Sequence, residues 1–303
     1  MERSDRGVLV AFSDALADAV ERAGEATVRV DARSRFAASG LAYADDLVLT
    51  ADHVIERDEG IIVGRPDGTE VAADLVGRDP GSDLALLRLR EGRLLPAEPV
   101  TDEARVGQFT LALGRPTAEG IQASLGIISV VGGPVRTRRG GLLERYIRTD
   151  AISYPGFSGG PLVDGEGRVV GINTSGLTMG ASLAIPVAQA WQTARDLLDH
   201  GRVRRAYLGV RSQPVELAAA QRETLGRGQE TGLLIVWVGH DTPAEQGGLM
   251  VGDILVAMDG RPVGDTDELQ GILLTVGAGH EAQIQVLRGG KSVLLPVRVG
   301  EHA

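Results

Sequence analysis

TDAISYPGFSGGPLVDGEGRVVGINT, residues 149–174, sets Ser158 among Gly156, Gly159 and Gly160, with Pro161 next. Two apolar runs, Leu162-Val163 and Val169-Val170-Gly171-Ile172, flank the turn letters Asp164-Gly165-Glu166-Gly167. That pattern predicts a β-hairpin. Glycines around a hydroxyl let the backbone turn tightly and let a carbonyl approach main-chain N–H groups able to hold an oxyanion. Serine alone is a poor nucleophile, so the reading turns on a base and an acid to orient it.

Two reaction classes place a serine in such a setting, each with its own chain order. An α/β-hydrolase elbow runs strand–Ser–helix, with acid and histidine following. Here Gly-Gly-Pro and a hairpin follow Ser158, which starts no helix. A chymotrypsin-like double barrel runs His, Asp, Ser. Upstream, DLVLTADHVI (46–55) ends an apolar strand on His53, and GRDPGSDLALL (77–87) opens another on Asp83. The order His53, Asp83, Ser158 fits the second class.

These three segments resemble the histidine, aspartate and serine motifs of the HtrA (Deg) serine proteases, a trypsin-like family. Residues 206–300 extend the likeness: YLGV (207–210) is similar to the carboxylate-binding loop and strand of PDZ domains, and GLMVGDIL (248–255) to their AGLxxGDxI signature. The resemblance implies a mainly β chain: a chymotrypsin-like double β-barrel protease domain followed by a PDZ domain, a small α+β, partly open barrel. It implies His53 as general base, Asp83 as its orienting acid and Ser158 as nucleophile. The amides of Gly156 and Ser158 would form the oxyanion hole. Ser153, Ser182, Leu183 and Ala184 would line the substrate, and Tyr207, Leu208, Gly209 and Val210 would receive a peptide in the PDZ domain. No metal or cofactor is implied.

Two positions depart from the family pattern. Phe157 stands where HtrA proteins usually carry Asn and trypsin-like relatives Asp, and an aromatic cannot tie the loop by hydrogen bonds. Asp52 precedes the histidine where a small residue is usual, and reads as an exposed carboxylate or one that raises the basicity of His53. Asp79 reads as a turn residue before Pro80, and His200, His240, His280 and His302 as surface or turn residues.

The 303 residues suffice for two domains with a substantial core. A net charge of −10 argues against nucleic-acid or anionic-membrane partners, and the absence of cysteine excludes disulfides and thiolate chemistry. Leu9, Phe12, Leu16 and Val20 recur at helical spacing, predicting an N-terminal amphipathic segment over 1–26 that packs on its own domain; in the family such segments help build a trimer. Asp14 and Asp18 interrupt the apolar run there, so no membrane span or usual signal core is predicted. As written the chain reads as cytoplasmic, or as periplasmic if a leader was omitted.

Short strands separated by turn clusters fill 27–200, the expected protease domain, which closes on a helix over Val187–His200. Gly201–Arg205 reads as a basic linker. The expected function is HtrA-like serine endopeptidase action on unfolded polypeptides through an acyl-enzyme, with C-terminal peptides bound or sensed by the PDZ domain. No carboxylate stands where trypsin-like enzymes select Lys or Arg, so cleavage after small or medium aliphatic residues is expected. The Ser182–Ala184 edge is expected to pair with the substrate backbone. The alternative from another class is a peptide-binding scaffold or chaperone with a latent protease domain.

Overall fold

Apolar runs of four to six residues between Gly, Pro and Asp turns favour short strands buried on both faces. The computed structural model, which describes residues 7–137, 142–176 and 183–302, has such strands at the heart of its first unit, Met1–Val203. Helix α1 (Val8–Gly24) leads into β1 (Thr27–Asp31), β2 (Ala38–Ala42), β3 (Leu47–Ala51), β4 (Ile61–Gly64), β5 (Glu70–Asp79) and β6 (Leu84–Leu89). These strands close into an antiparallel barrel in the order β1-β2-β3-β6-β5-β4. Every residue of β2 and β3 is buried, and in β6 only Arg88 reaches solvent.

The second barrel takes β7 (Phe109–Thr117), β8 (Gly120–Gly132), β11 (Tyr146–Thr149), β12 (Pro161–Val163), β13 (Val169–Thr174) and β14 (Leu183–Pro186), closed as β11-β14-β13-β12-β7-β8. A two-strand ribbon, β9 (Val135–Arg136) with β10 (Leu142–Leu143), interrupts the sequence between β8 and β11. The fold is therefore mainly β, a chymotrypsin-like double barrel. The predicted hairpin is the β12–β13 pair. Asp164 builds its turn by accepting the Glu166 and Arg168 amides, each at 2.9 Å. Helix α2 (Val187–His200) buries Val187, Ala190, Ala194 and Leu197 and ends at Gly201 in the left-handed region.

Helix α1 departs from its expected packing. Ala19 and Ala23 are buried and Leu16 and Val20 pack against the core, but Leu9 is 82% exposed and Phe12 40%. Among the described residues the apolar stripe is thus only half covered. Phe12 touches the exposed Phe109, ring centroids 5.4 Å apart.

In the second unit, Arg204–Ala303, β16 (Val210–Glu216), β17 (Thr231–Val238), β18 (Ile254–Met258), β20 (Glu281–Arg288) and β21 (Lys291–Arg298) form one sheet in that order. A short β19 (Arg261–Pro262) pairs with β18, while β15 (Arg205–Tyr207) pairs with β22 (Gly300–His302). Arg205, expected in a linker, is thus the first residue of a strand. Three helices complete the unit: α3 (Ala219–Leu225), α4 (Pro243–Gln246) and α5 (Thr266–Val276). The Asp265 carboxylate caps α5 by accepting the amides of Asp267 (2.8 Å) and Glu268 (2.9 Å). Helix α3, which buries no residue, lacks the apolar periodicity that would announce it.

Candidate active site

Strands β3 and β6 are neighbours in register, Ala51 opposite Leu84, so the residues just beyond that pair must meet. On the β3 side the chain enters a single 3₁₀ turn, Asp52–Val54, that carries His53. On the β6 side the Asp79 carboxylate accepts the amides of Gly81 (3.3 Å) and Ser82 (3.0 Å), shaping the turn that delivers Asp83 at φ 57°. Asp83 tolerates that left-handed conformation better than a branched residue would.

The fully buried Asp83 carboxylate accepts the His53 amide at 2.9 Å and lies 2.8 and 3.0 Å from His53 Nδ1. The Thr174 hydroxyl also donates to it. An ionised carboxylate only accepts, so Nδ1 carries the proton and Nε2 is left as an acceptor. That tautomer suits a base.

Ser158 is 7% exposed, and its hydroxyl lies 3.1 Å from that of Ser175. The Ser175 hydroxyl is 3.5 Å from His53 Nε2, so it stands between the two groups. His53, Ser158 and Ser175 share the wall of a cavity of about 410 Å³ with Ser153, Tyr154 and Gly156. Neither Thr174 nor Ser175 was foreseen: each is an ordinary hydroxyl at the end of an apolar strand, and only register brings them to Asp83 and His53.

The turn holding Gly156 and Ser158 is fastened to both barrels. Ser39 of β2 donates its hydroxyl to the Gly156 carbonyl at 2.7 Å and its amide to the Ser158 carbonyl at 3.2 Å. Gly159 N–H reaches the Asn173 carbonyl at 2.8 Å. Gly156 sits at φ 91°, where a Cβ would meet the Pro116 side chain at 2.5 Å, so the turn requires glycine.

Several expectations need correction. Leu183 and Ala184 are buried, and β14 pairs with β11 on one side and β13 on the other. Those two residues therefore offer no free edge to a substrate and do not line the cavity. Ser182 lies outside the described residues. Ser153 does line the cavity. Asp52 is not an exposed carboxylate: it is 0% exposed and paired with Arg78, Nε to Oδ1 at 2.5 Å.

In the second unit Tyr207 ends β15 and Val210 begins β16, the terminal strand of its sheet. Between them the buried Leu208 accepts the Ala244 amide at 2.8 Å, and Gly209, at φ 84°, accepts the Gly239 amide at 2.9 Å. Helix α5 packs beside β16. His240 is 84% exposed, and His280 pairs with Asp259 at 2.8 Å.

Comparison with known proteins agrees with this architecture. The trypsin-like peptidase domain family matches residues 38–172, and the PDZ domain family matches 206–299. The probable periplasmic serine endoprotease DegP-like of Ectopseudomonas mendocina (strain ymp) is 38% identical over 264 residues, covering 85% of this chain and 54% of that protein. The chain thus spans about half the length of the curated relatives it matches. Among solved structures, the HtrA-type protease AlgW with decapeptide superposes with a TM-score of 0.79 at 31% identity, covering 95% of this chain and 99% of the other. The serine endoprotease from Yersinia pestis gives 0.77 at 30% identity, covering 95% and 98%.

Proposed function

Because the chain belongs to the HtrA-type serine protease family, we propose that it is a serine endopeptidase that cleaves unfolded polypeptides through an acyl-enzyme. The observation that carries this reading is the His53–Asp83 hydrogen bond at 2.8 Å facing the cavity that Ser158 shares. In this reading His53 Nε2 takes the Ser158 proton as the hydroxyl attacks the scissile carbonyl, then returns it to the leaving amine. Asp83 holds the tautomer and stabilises the imidazolium. The amides of Gly156 and Ser158 receive the oxyanion.

The Ser175 hydroxyl must rotate aside, or pass the proton on, before Nε2 can take it. Ser153 serves the first specificity pocket, and cleavage after small or medium aliphatic residues follows.

A C-terminal peptide would add a strand to the open edge of β16, its carboxylate over Tyr207, Leu208, Gly209 and Val210. The uncovered N-terminal half of α1, with Val8 85% and Leu9 82% exposed, favours a homo-oligomer, a trimer in the family manner. The relatives named periplasmic favour an extracytoplasmic place and lend none to the cytoplasmic expectation. Among the described residues no helix is long and apolar enough to cross a membrane.

The test is casein degradation by wild type and Ser158→Ala, with and without a hydrophobic C-terminal peptide. The expected result is proteolysis that the substitution lowers by several orders of magnitude, about 10⁶ in kcat for a triad nucleophile. Equal inertness of both, with peptide and without, would hand the chain to the scaffold reading.

A further inference from the structure

We propose that Phe157 is a positioning residue for the reaction: its buried ring, seated against Gly114, holds the turn whose amides face the oxyanion. The proposal rests on the protease reading above.

Phe157 lies between the two amide donors, Gly156 and Ser158, where hydrogen-bonding side chains are the expected means of tying down such a turn. An aromatic must do it by burial. The chain has four phenylalanines. Phe12, Phe36 and Phe109 are 40, 71 and 53% exposed, whereas Phe157 is 0% exposed. Its ring enters the second barrel's core among Ala112, Ile128, Ile147, Leu162 and Val170.

Three further observations make that seat specific. On β7, Gly114 leaves the room the ring occupies: a Cβ there would lie 2.5 Å from Phe157 Cδ1. Tyr154, within the same turn, meets the ring edge-on at 5.4 Å and 77°. The main chain on either side of the ring is closed on the turn itself, Phe157 N–H to the Tyr154 carbonyl at 3.0 Å and Gly160 N–H to the Phe157 carbonyl at 2.9 Å. Core packing has discrete solutions rather than a soft continuum. A ring locked in the core therefore restrains the main chain that carries the Gly156 and Ser158 amides, and a shift of about 1 Å in such groups can cost roughly a hundredfold in rate.

The experiment compares wild type with Phe157→Ala, Phe157→Leu, Gly114→Ala and the control Ile61→Ala, which opens the first barrel's core instead. The readouts are kcat and KM on a peptide substrate, affinity for a peptide aldehyde whose hemiacetal oxygen sits in the oxyanion hole, and the melting temperature. For Phe157→Ala, kcat should fall about 10²-fold with KM within about threefold, and aldehyde affinity should fall in parallel. Phe157→Leu should recover about tenfold of the loss, since it refills most of the seat. Gly114→Ala, which leaves the turn's own sequence intact, should lower kcat and aldehyde affinity together. Ile61→Ala should lose melting temperature and keep kcat.

A folded Phe157→Ala with kcat within about threefold of wild type would overturn the proposal, as would losses that leave aldehyde affinity unmoved. If Phe157→Ala does not fold, Gly114→Ala and Phe157→Leu decide by the same readouts. A wild type that neither cleaves peptides nor binds the aldehyde would sink the protease reading, and this proposal with it.

Discussion

Replacing Arg78 should destabilise the first unit through the turn that bears His53. From β5, Arg78 reaches the Asp52 carboxylate at 2.5 Å, the Asp58 carboxylate at 3.1 Å, and the carbonyls of Ile55 and Asp52 at 3.1 and 3.3 Å. Asp52 is 0% exposed and Arg78 32%. Arg78→Ala removes the guanidinium from a fully buried carboxylate, a change that costs about 3–5 kcal/mol when one partner of a buried pair is lost. Because a third of Arg78 is open to water, which can enter the gap, about 3 kcal/mol is the expected cost.

Asp52→Ala leaves Arg78 with Asp58, the carbonyls of residue 52 and Ile55, and solvent, and should cost only about 1–2 kcal/mol. The double variant should fall short of the sum by about 1–2 kcal/mol, the signature of a coupled pair. The assay is urea unfolding followed by tryptophan fluorescence in a Trp237→Phe background. That leaves Trp191, packed on Tyr43 at 5.5 Å, as the reporter of the first unit. A change in midpoint at constant slope reads as stability. An Arg78→Ala cost below about 0.5 kcal/mol, or strictly additive variants, would show that the two side chains are not coupled.

Asp83→Asn keeps the shape at φ 57° but places an amide donor against His53 Nδ1. The proton then moves to Nε2, and kcat/KM on a peptide substrate should fall about 10⁴-fold with the fold unchanged by circular dichroism. Gly176→Ala would put a Cβ 2.6 Å from both His53 Nδ1 and Asp83 Oδ2, so kcat should drop about 10²-fold at unchanged melting temperature. In the second unit the Asp253 carboxylate, 2% exposed, is held by Arg288 at 2.7 and 2.8 Å, and these hydrogen bonds raise the Arg288 pKa above its ordinary value. Arg288→Ala should destabilise that unit by about 3 kcal/mol, read by Trp237 fluorescence in a Trp191→Phe background.

The double barrel was legible because its strands are short apolar runs cut by turn letters, and the hairpin after Ser158 because Asp164 accepts two amides in its own turn. The meeting of His53 and Asp83 follows from motif order, yet their adjacency depends on the β3–β6 register, which no local pattern displays. Two errors share one cause. Asp52 reads in sequence as an exposed carboxylate or one that raises the basicity of His53, because carboxylates usually lie at the surface; its partner Arg78 sits 26 residues away on β5. Leu183 and Ala184 were read as a free edge because a single strand carries no mark of having neighbours on both sides. Ser39, Thr174 and Ser175 entered the site unannounced for a similar reason: a lone hydroxyl acquires its role only from what the fold sets against it. The half-covered face of α1 carries a helical period in sequence, which fixes the stripe but not what covers it.

The most direct test is labelling by a biotinylated peptidyl phosphonate with small aliphatic side chains, followed by peptide mapping. One adduct per chain is expected, on Ser158, formed by wild type and abolished in both Ser158→Ala and His53→Ala. An adduct elsewhere, or on Ser158 at the same rate without His53, would contradict that expectation.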